Sequence, residues 1–171
     1  MESEGKVFQA STDMAVPMAV YTSVMSMLWV FNDMMLFMDS LFMIMLIMGP
    51  VVLYLMQRKC RKEAGPECGV AALWRMGVIT IFLGTVFTLL LTFCILEYVR
   101  PSFFYDQLQF MAQSYEQMPE MKSSEVLTVI QAMIDNDDLP SAWQISLSMF
   151  CATNVSGSVM SLFTALVASR K

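Results

Sequence analysis

From Met76 to Leu96 the chain carries no charged residue; Arg75 and Glu97 bound the run. As a helix, about 21 residues rise roughly 31 Å, which matches one bilayer hydrocarbon core. Inside lipid the backbone must satisfy its own hydrogen bonds, so a lone segment of this kind is helical. Trp74 and Tyr98 stand at its two ends, where amphipathic rings favour the membrane interface. A second uncharged run, Leu139 to Ser169, exceeds the length of one crossing. Pro140 suits a first helical turn and Trp143 suits an interfacial anchor, which predicts a span over about 143–168.

Composition agrees with two or more such segments. Hydrophobic residues make up 57% and charged residues 15%, with a mean hydropathy of +0.58. Soluble domains hold roughly 45–50% apolar and 25% charged residues, so the excess calls for lipid-facing surface. The N-terminal half supplies two more apolar runs, Met14 to Asn32 and Ser40 to Met56, separated by Asn32, Asp33 and Asp39. A tight hairpin with both aspartates at the surface predicts spans over about 14–36 and 40–57. Burying Asp33 instead would cost about 3 kcal/mol or more. The pair Gly49-Pro50 predicts a kink in the second span. Met1 to Asp13 has neither the basic region nor the cleavage site of a secretory signal; the first span is expected to stay in the mature protein.

The expected fold class is therefore all-α, a four-helix transmembrane bundle in one membrane domain, with the third span over about 75–98. Charge orients it. Residues 57–75 hold Arg58, Lys59, Arg61, Lys62 and Arg75 against Glu63 and Glu67, and the chain ends in Arg170-Lys171. Basic residues in short loops stay in the cytoplasm, so Arg58, Lys59, Arg61, Lys62, Arg170 and Lys171 are the topology determinants. They place both termini in the cytoplasm. Residues 97–138 then lie outside. That segment holds Glu97, Asp106, Glu116, Glu120, Glu125, Asp135, Asp137 and Asp138 against only Arg100 and Lys122. Within it Phe103, Phe104, Leu108, Met111, Tyr115 and Met118 recur at helical spacing up to Pro119. A second helix is predicted from Ser123-Ser124-Glu125, with Val126, Leu127, Ile130, Met133 and Ile134 on its apolar face. The insert, about 101–138, reads as an extracytoplasmic helical hairpin. Its apolar face would pack on the bundle or lipid headgroups, or dock a partner.

The arrangement resembles the bacterial membrane proteins of domain of unknown function 4199. The resemblance rests on the apolar hairpin, the basic turn Gln57 to Lys62 and the stretch Ala64-Gly65-Pro66-Glu67-Cys68-Gly69. It continues through the exit Arg100-Pro101-Ser102-Phe103, the polar insert with Ser114-Tyr115-Glu116-Gln117-Met118, and the final span ending in Arg170-Lys171. The family's glycine-rich, phenylalanine-containing turn after the second span is only partly kept. The resemblance implies a membrane architecture and a bacterial origin of the Bacteroidota type, and no mechanism.

Two spans carry small residues every fourth position: Thr80, Gly84, Thr88 and Thr92 in the third, and Gly157, Ser161, Ala165 and Ser169 in the last. Such ridges let backbones approach closely in lipid. They are expected to be packing seams, facing each other or another copy; lining a solute path is the alternative. Nineteen methionines, many in the first two spans, could bind Cu(I) but fit better as irregular lipid-facing filler. Asn32, Asp33 and Asp39 are expected to be solvated at a hairpin tip. Asp135, Asp137 and Asp138 lack the calcium-loop spacing and read as a helix stop. Asn154-Val155-Ser156 matches a glycosylation pattern, but inside a span. Cys94 and Cys151 are expected to pack as small apolar residues; a disulfide between them is the alternative.

The chain has no histidine, and with it go the usual general base and the common catalytic pairs. No nucleophile elbow, zinc helix or phosphate loop occurs. An enzyme is not expected, nor any cofactor. A formal net charge of −5 disfavours nucleic acid as a partner. The partners expected are the lipid bilayer and either further copies of the chain or another membrane protein. The expected function is a non-enzymatic envelope subunit or scaffold acting by helix association; the alternative is a small oligomeric transporter or channel.

Overall fold

The computed structural model describes residues 2–32, 36–65, 68–117, 125–136 and 139–170. Among them every regular element is helical. The helices are α1 (Glu2–Val30), α2 (Leu36–Ala64), α3 (Val70–Cys94, continued by a π-helical turn Ile95–Val99), α4 (Phe103–Gln117), α5 (Glu125–Asp135) and α6 (Ala142–Ser169). Four are long and apolar enough to cross a membrane: Val7–Val30, Phe37–Glu63, Val70–Val99 and Ala142–Ser169. This is a multi-pass arrangement. The chain forms two compact units, Met1–Thr92 with Leu147–Lys171, and Phe93–Ser146.

The first unit holds α1, α2 and most of α3 and α6. Its core gathers Val7, Met14 and Met18 of α1, Leu53, Met56 and Cys60 of α2, Leu73, Met76 and Ile81 of α3, and Ala165 and Ala168 of α6, with Cys68 from the α2–α3 turn. The helices alternate in direction. Contacts between α1 and α3 rise together in number (Ser11 with Thr80, Thr22 with Thr88, Ser26 with Thr92), so these two run parallel. Contacts between α3 and α6 run in opposite order (Trp74 with Ser158, Thr85 with Asn154), so these two are antiparallel. Val7 and Ala168, near the two chain ends, share a core with Cys60 and Cys68. With α1 parallel and α6 antiparallel to α3, Val7 and Ala168 lie toward the end of this unit where α3 starts, and there Arg61 near the end of α2 donates to the Ala168 carbonyl.

Several boundaries differ from the sequence expectation, each for a local reason. Helix α1 reaches back to Glu2 and ends at Val30, with Phe31 and Asn32 in a turn; Pro17 lies inside it. The basic stretch 57–75 is mostly helix, because α2 runs to Ala64 and α3 begins at Val70. Gly65, with φ of 87°, closes α2 in the left-handed conformation that glycine adopts freely. Its N–H donates to the Arg61 carbonyl at 3.0 Å. Helix α2 passes through Pro50. A proline there leaves a carbonyl of the preceding turn without its helical donor, and the Tyr21 hydroxyl donates to the neighbouring Met45 carbonyl. A Cβ on Gly49 would stand 3.7 Å from that hydroxyl. Asp39 is exposed in the first turn of α2, where the helix dipole favours an acid; Asp33 lies outside the described residues.

Pro140 is not in the first turn of α6. Ser141 caps that helix: the Gln144 N–H donates to Ser141 Oγ at 3.3 Å, and the Ser141 N–H donates to Gln144 Oε1 at 2.9 Å. This is a reciprocal capping box.

The second unit holds α4 and α5, which pack through Leu108, Ala112, Leu127 and Ile130. Gln131 Nε2 donates to Glu116 Oε1 at 3.1 Å. Ala112 rather than Met111 faces this core, since Met111 is exposed, and Val126 is exposed as well. Pro119, Ser123 and Ser124, where a turn and a cap are expected, lie outside the described residues, as do Asp137 and Asp138. The exit from α3 is braced locally. The Arg100 N–H donates to the Ile95 carbonyl at 2.8 Å, and the Arg100 guanidinium lies 5.4 Å from the Phe103 ring centre. Ser102 Oγ donates to Asp106 Oδ2 at 2.9 Å. Trp143 meets Phe93 edge to face, with ring centres 5.7 Å apart.

Candidate functional site

Helix α3 is the axis of the first unit, and two polar seams run along it. The first faces α1. Thr80 Oγ1 donates to the Ser11 carbonyl at 3.3 Å. Thr88 Oγ1 meets Thr22 Oγ1 at 2.7 Å and Ser23 Oγ at 3.3 Å, and Thr92 Oγ1 meets Ser26 Oγ at 2.6 Å. Gly84 makes the close approach possible, since a Cβ there would lie 3.0 Å from the Ala19 backbone nitrogen. The ridge Thr80, Gly84, Thr88 and Thr92 is thus turned to α1. It is not turned to the ridge of the last span, because the two ridges pack on different sides of α3.

The second seam faces α6. Asn154 Nδ2 donates to Thr85 Oγ1 at 2.9 Å and to the Phe150 carbonyl of its own helix at 2.8 Å. A Cβ on Gly157 would stand 3.0 Å from Ile81 Cδ1, and Phe82 meets Phe150 at 5.7 Å between ring centres. Trp74 Nε1 donates to the Ser158 carbonyl at 3.1 Å. Ala165 and Ala168 continue the α6 face into the core.

Where the second seam meets α2, three helices share a polar node. Gln57 is fully buried. Its Nε2 donates to Ser161 Oγ and to the Ser161 carbonyl, both at 3.0 Å, and to the Leu73 carbonyl at 3.3 Å. Ser161 Oγ donates in turn to the Trp74 carbonyl at 3.2 Å. Gly77 leaves room for this: a Cβ on it would stand 2.1 Å from Ser161 Oγ and 2.9 Å from Gln57 Nε2. Gln57 Oε1 has no hydrogen-bond donor among the described residues. One turn further along α2, Arg61 donates to the Ala168 carbonyl near the end of α6, where a cation complements the helix C-terminus.

The charged residues separate by face. Arg58, Lys59, Lys62 and Arg170 are exposed, Arg61 is half-buried, and Lys59 lies 4.0 Å from Glu63. Lys171 lies outside the described residues. Cys94 and Cys151 are free and exposed, whereas Cys60 and Cys68 are free and buried. Burial pushes the Cys68 thiol up, against the opposing pull of Cys60 and of Arg61. Among the described residues no three His, Cys, Asp or Glu side chains come together as a metal cluster.

Sequence reasoning missed Gln57, Asn154 and the α1 half of the first seam. Signals for each were present. Leu53, Met56, Gln57 and Cys60 follow the i, i+3, i+4, i+7 pattern of a buried helix face. Thr22 and Ser26, and Ser11, Ala15 and Ala19, repeat every fourth position as the α3 ridge does.

The family model described as "Protein of unknown function (DUF4199)" matches residues 17–170. No curated protein and no solved structure matches the chain.

Proposed function

Because the chain belongs to the DUF4199 family of proteins of unknown function, whose description assigns no activity, we propose a role from its own geometry: a non-enzymatic envelope subunit or scaffold that acts by helix association. One observation carries this reading. Four pairs of intramembrane hydroxyls and amides join one helix to another: Thr88 with Thr22, Thr92 with Ser26, Thr85 with Asn154, and Gln57 with Ser161. Polar groups used in this way hold a bundle together. Meanwhile α2 keeps an apolar face with Phe37, Ile44, Ile47 and Leu55 exposed, which suits contact with lipid or with a second membrane helix.

The positive-inside rule sets the orientation of this proposal. The basic α2–α3 turn and both chain ends are cytoplasmic, the α4–α5 pair is outside, and the membrane is the bacterial inner membrane. Purification in several mild detergents tests the reading. Recovery of a higher-order species or a constant membrane partner is expected; a lone monomer under all conditions would sink it.

A small transporter is the second reading, and the unpaired Gln57 Oε1 inside the bundle is what favours it. Reconstituted vesicles that pass ions or small solutes, with the flux abolished by Gln57→Leu, would replace the first reading by this one.

A further inference from the structure

The exposed side of α2 changes character along its length. Only 6% of the apolar stretch of this span is buried within the molecule, against 33% for α3, so α2 keeps most of its surface for the bilayer. Ile44, Ile47, Val51 and Leu55 are all exposed, Ile47 at 70%. Arg58, Lys59 and Lys62 follow them and are exposed as well. At about 100° per helical residue, the four apolar side chains share one arc of about 80° with Arg58 and Lys62, and Lys59 borders it. From Ile44 to Leu55 the helix rises about 16 Å, and one leaflet of a hydrocarbon core is about 15 Å thick. Arg58 and Lys62 stand about 4 and 10 Å further on, at the depth of the headgroups. The stripe thus has the outline of one phospholipid, with an acyl length first and cations after it.

We propose that this face of α2 binds one phospholipid with an anionic headgroup, its phosphate between Arg58 and Lys62 and its acyl chains along Ile47, Val51 and Leu55. Charge supports this occupant. Three exposed cations gather where the one neighbouring acid, Glu63, lies 4.0 Å from Lys59, in a chain whose formal net charge is −5. A local basic excess beside a membrane helix attracts anionic lipid, and the guanidinium fork of an arginine matches a phosphate. Arg61 belongs to a different face, since it donates to the Ala168 carbonyl. The same charges disfavour a second copy as the occupant. Two copies of one membrane topology, paired through this face by a twofold axis, place identical residues at equal depth. Arg58 and Lys62 would then meet their own like charges. The inference holds whether or not the chain associates through its other faces.

The test titrates the full-length chain, in a mild neutral detergent, with phosphatidylglycerol or with phosphatidylcholine of the same acyl chains, and counts bound lipid by native mass spectrometry. One phosphatidylglycerol per chain is expected at concentrations where phosphatidylcholine does not bind, and inorganic phosphate alone should not displace it. A cation near a membrane surface changes anionic-lipid affinity about fivefold. Arg58→Gln/Lys62→Gln should therefore weaken phosphatidylglycerol roughly 25-fold while keeping the wild-type helical signal. Arg170→Gln/Lys171→Gln, the same loss of charge on another helix, should cost much less. Glu63→Gln should tighten binding, an effect that misfolding does not produce. Equal affinity for the two lipids, equal losses in the two double variants, no gain in Glu63→Gln, or displacement by inorganic phosphate would each overturn the proposal. So would rapid crosslinking of Ile47→Cys to itself in a Cys94→Ser/Cys151→Ser chain, because a second copy would then cover the stripe.

Discussion

The two seams along α3 solve the same problem by different means. Toward α1 the contacts repeat: a hydroxyl or a glycine every fourth residue on α3 meets a hydroxyl or a backbone on α1, from Thr80 to Thr92. Toward α6 and α2 the contacts converge on one side chain, Gln57, whose amide ties Leu73 and Ser161 together. A repeated seam spreads its energy over many weak pairs and tolerates the loss of any one. A convergent node concentrates it, and depends on the absence of a methyl group at Gly77. In lipid there is no hydrophobic drive between helices, so packing and polar pairs decide which helices associate.

The largest expected effect tests that dependence. Gly77→Val would place carbon where Ser161 Oγ and Gln57 Nε2 already stand. Overpacking of this kind costs about 1–3 kcal/mol and occasionally more, and both neighbours belong to one network. Thermal unfolding in detergent, followed by circular dichroism, should show the largest loss of the series. Gly77→Ala paired with Ser161→Ala should recover part of the loss, because the closest clash is with a serine oxygen. If the double variant melts no higher than Gly77→Ala alone, the node is not organised around Ser161.

Gly84→Ala is the matching change in the repeated seam. Its Cβ would lie 3.0 Å from the Ala19 nitrogen, and backbone yields less readily than a side chain. The helices must therefore separate slightly, at a cost of about 1–2 kcal/mol. A melting temperature as low as that of Gly77→Val would erase the distinction between a spread and a concentrated interface.

Gln57→Leu should cost less than either glycine change. It removes the hydrogen bonds to Leu73 and Ser161, but it also removes an acceptor, Oε1, that is buried without a donor. Interhelical polar contacts in membranes contribute about 0.6 kcal/mol on average, and relief of the unpaired oxygen offsets part of that. A net loss near 1 kcal/mol or below is expected. A much larger loss would mean that Oε1 is satisfied by a bound water or ion.

The contrast also explains what could be read from the sequence. The α3 and α6 ridges were legible because a four-residue period of small side chains is a local pattern. Their partners were not, since a period on one helix does not say which neighbour it meets; the α3 ridge chose Ser11, Thr22 and Ser26 of α1. Four cations follow Gln57 within five residues, so by sequence it looks like the start of a basic loop. The helix instead continues to Ala64, which puts Gln57 and Cys60 on the buried face while Arg58, Lys59 and Lys62 occupy the exposed one. The glycosylation pattern at Asn154 hides a simpler fact: an amide inside a span needs a partner, and this one finds it in Thr85. The cap of α6 is legible as Ser141 followed three residues later by Gln144, one residue beyond Pro140. The last two spans follow from length, charge and aromatic flanks, and the first two from apolar runs separated by Asn32, Asp33 and Asp39.

The smallest effect is the most specific to the repeated seam. Thr22 and Thr88 meet at 2.7 Å, while Thr88 also reaches Ser23 and the Gly84 carbonyl, and Thr22 reaches the Met18 and Ala19 carbonyls. Each hydroxyl therefore has a fallback, and Thr22→Val or Thr88→Val alone should cost only a few tenths of a kcal/mol. A double-mutant cycle isolates the pair, with a coupling expected near 0.6 kcal/mol. The same cycle on Ser26 and Thr92, at 2.6 Å, should give a similar value if the seam is a true repeat. Couplings that differ severalfold between the two pairs would show that this interface, too, rests on one contact, and that the even spacing of its residues conceals an uneven distribution of energy.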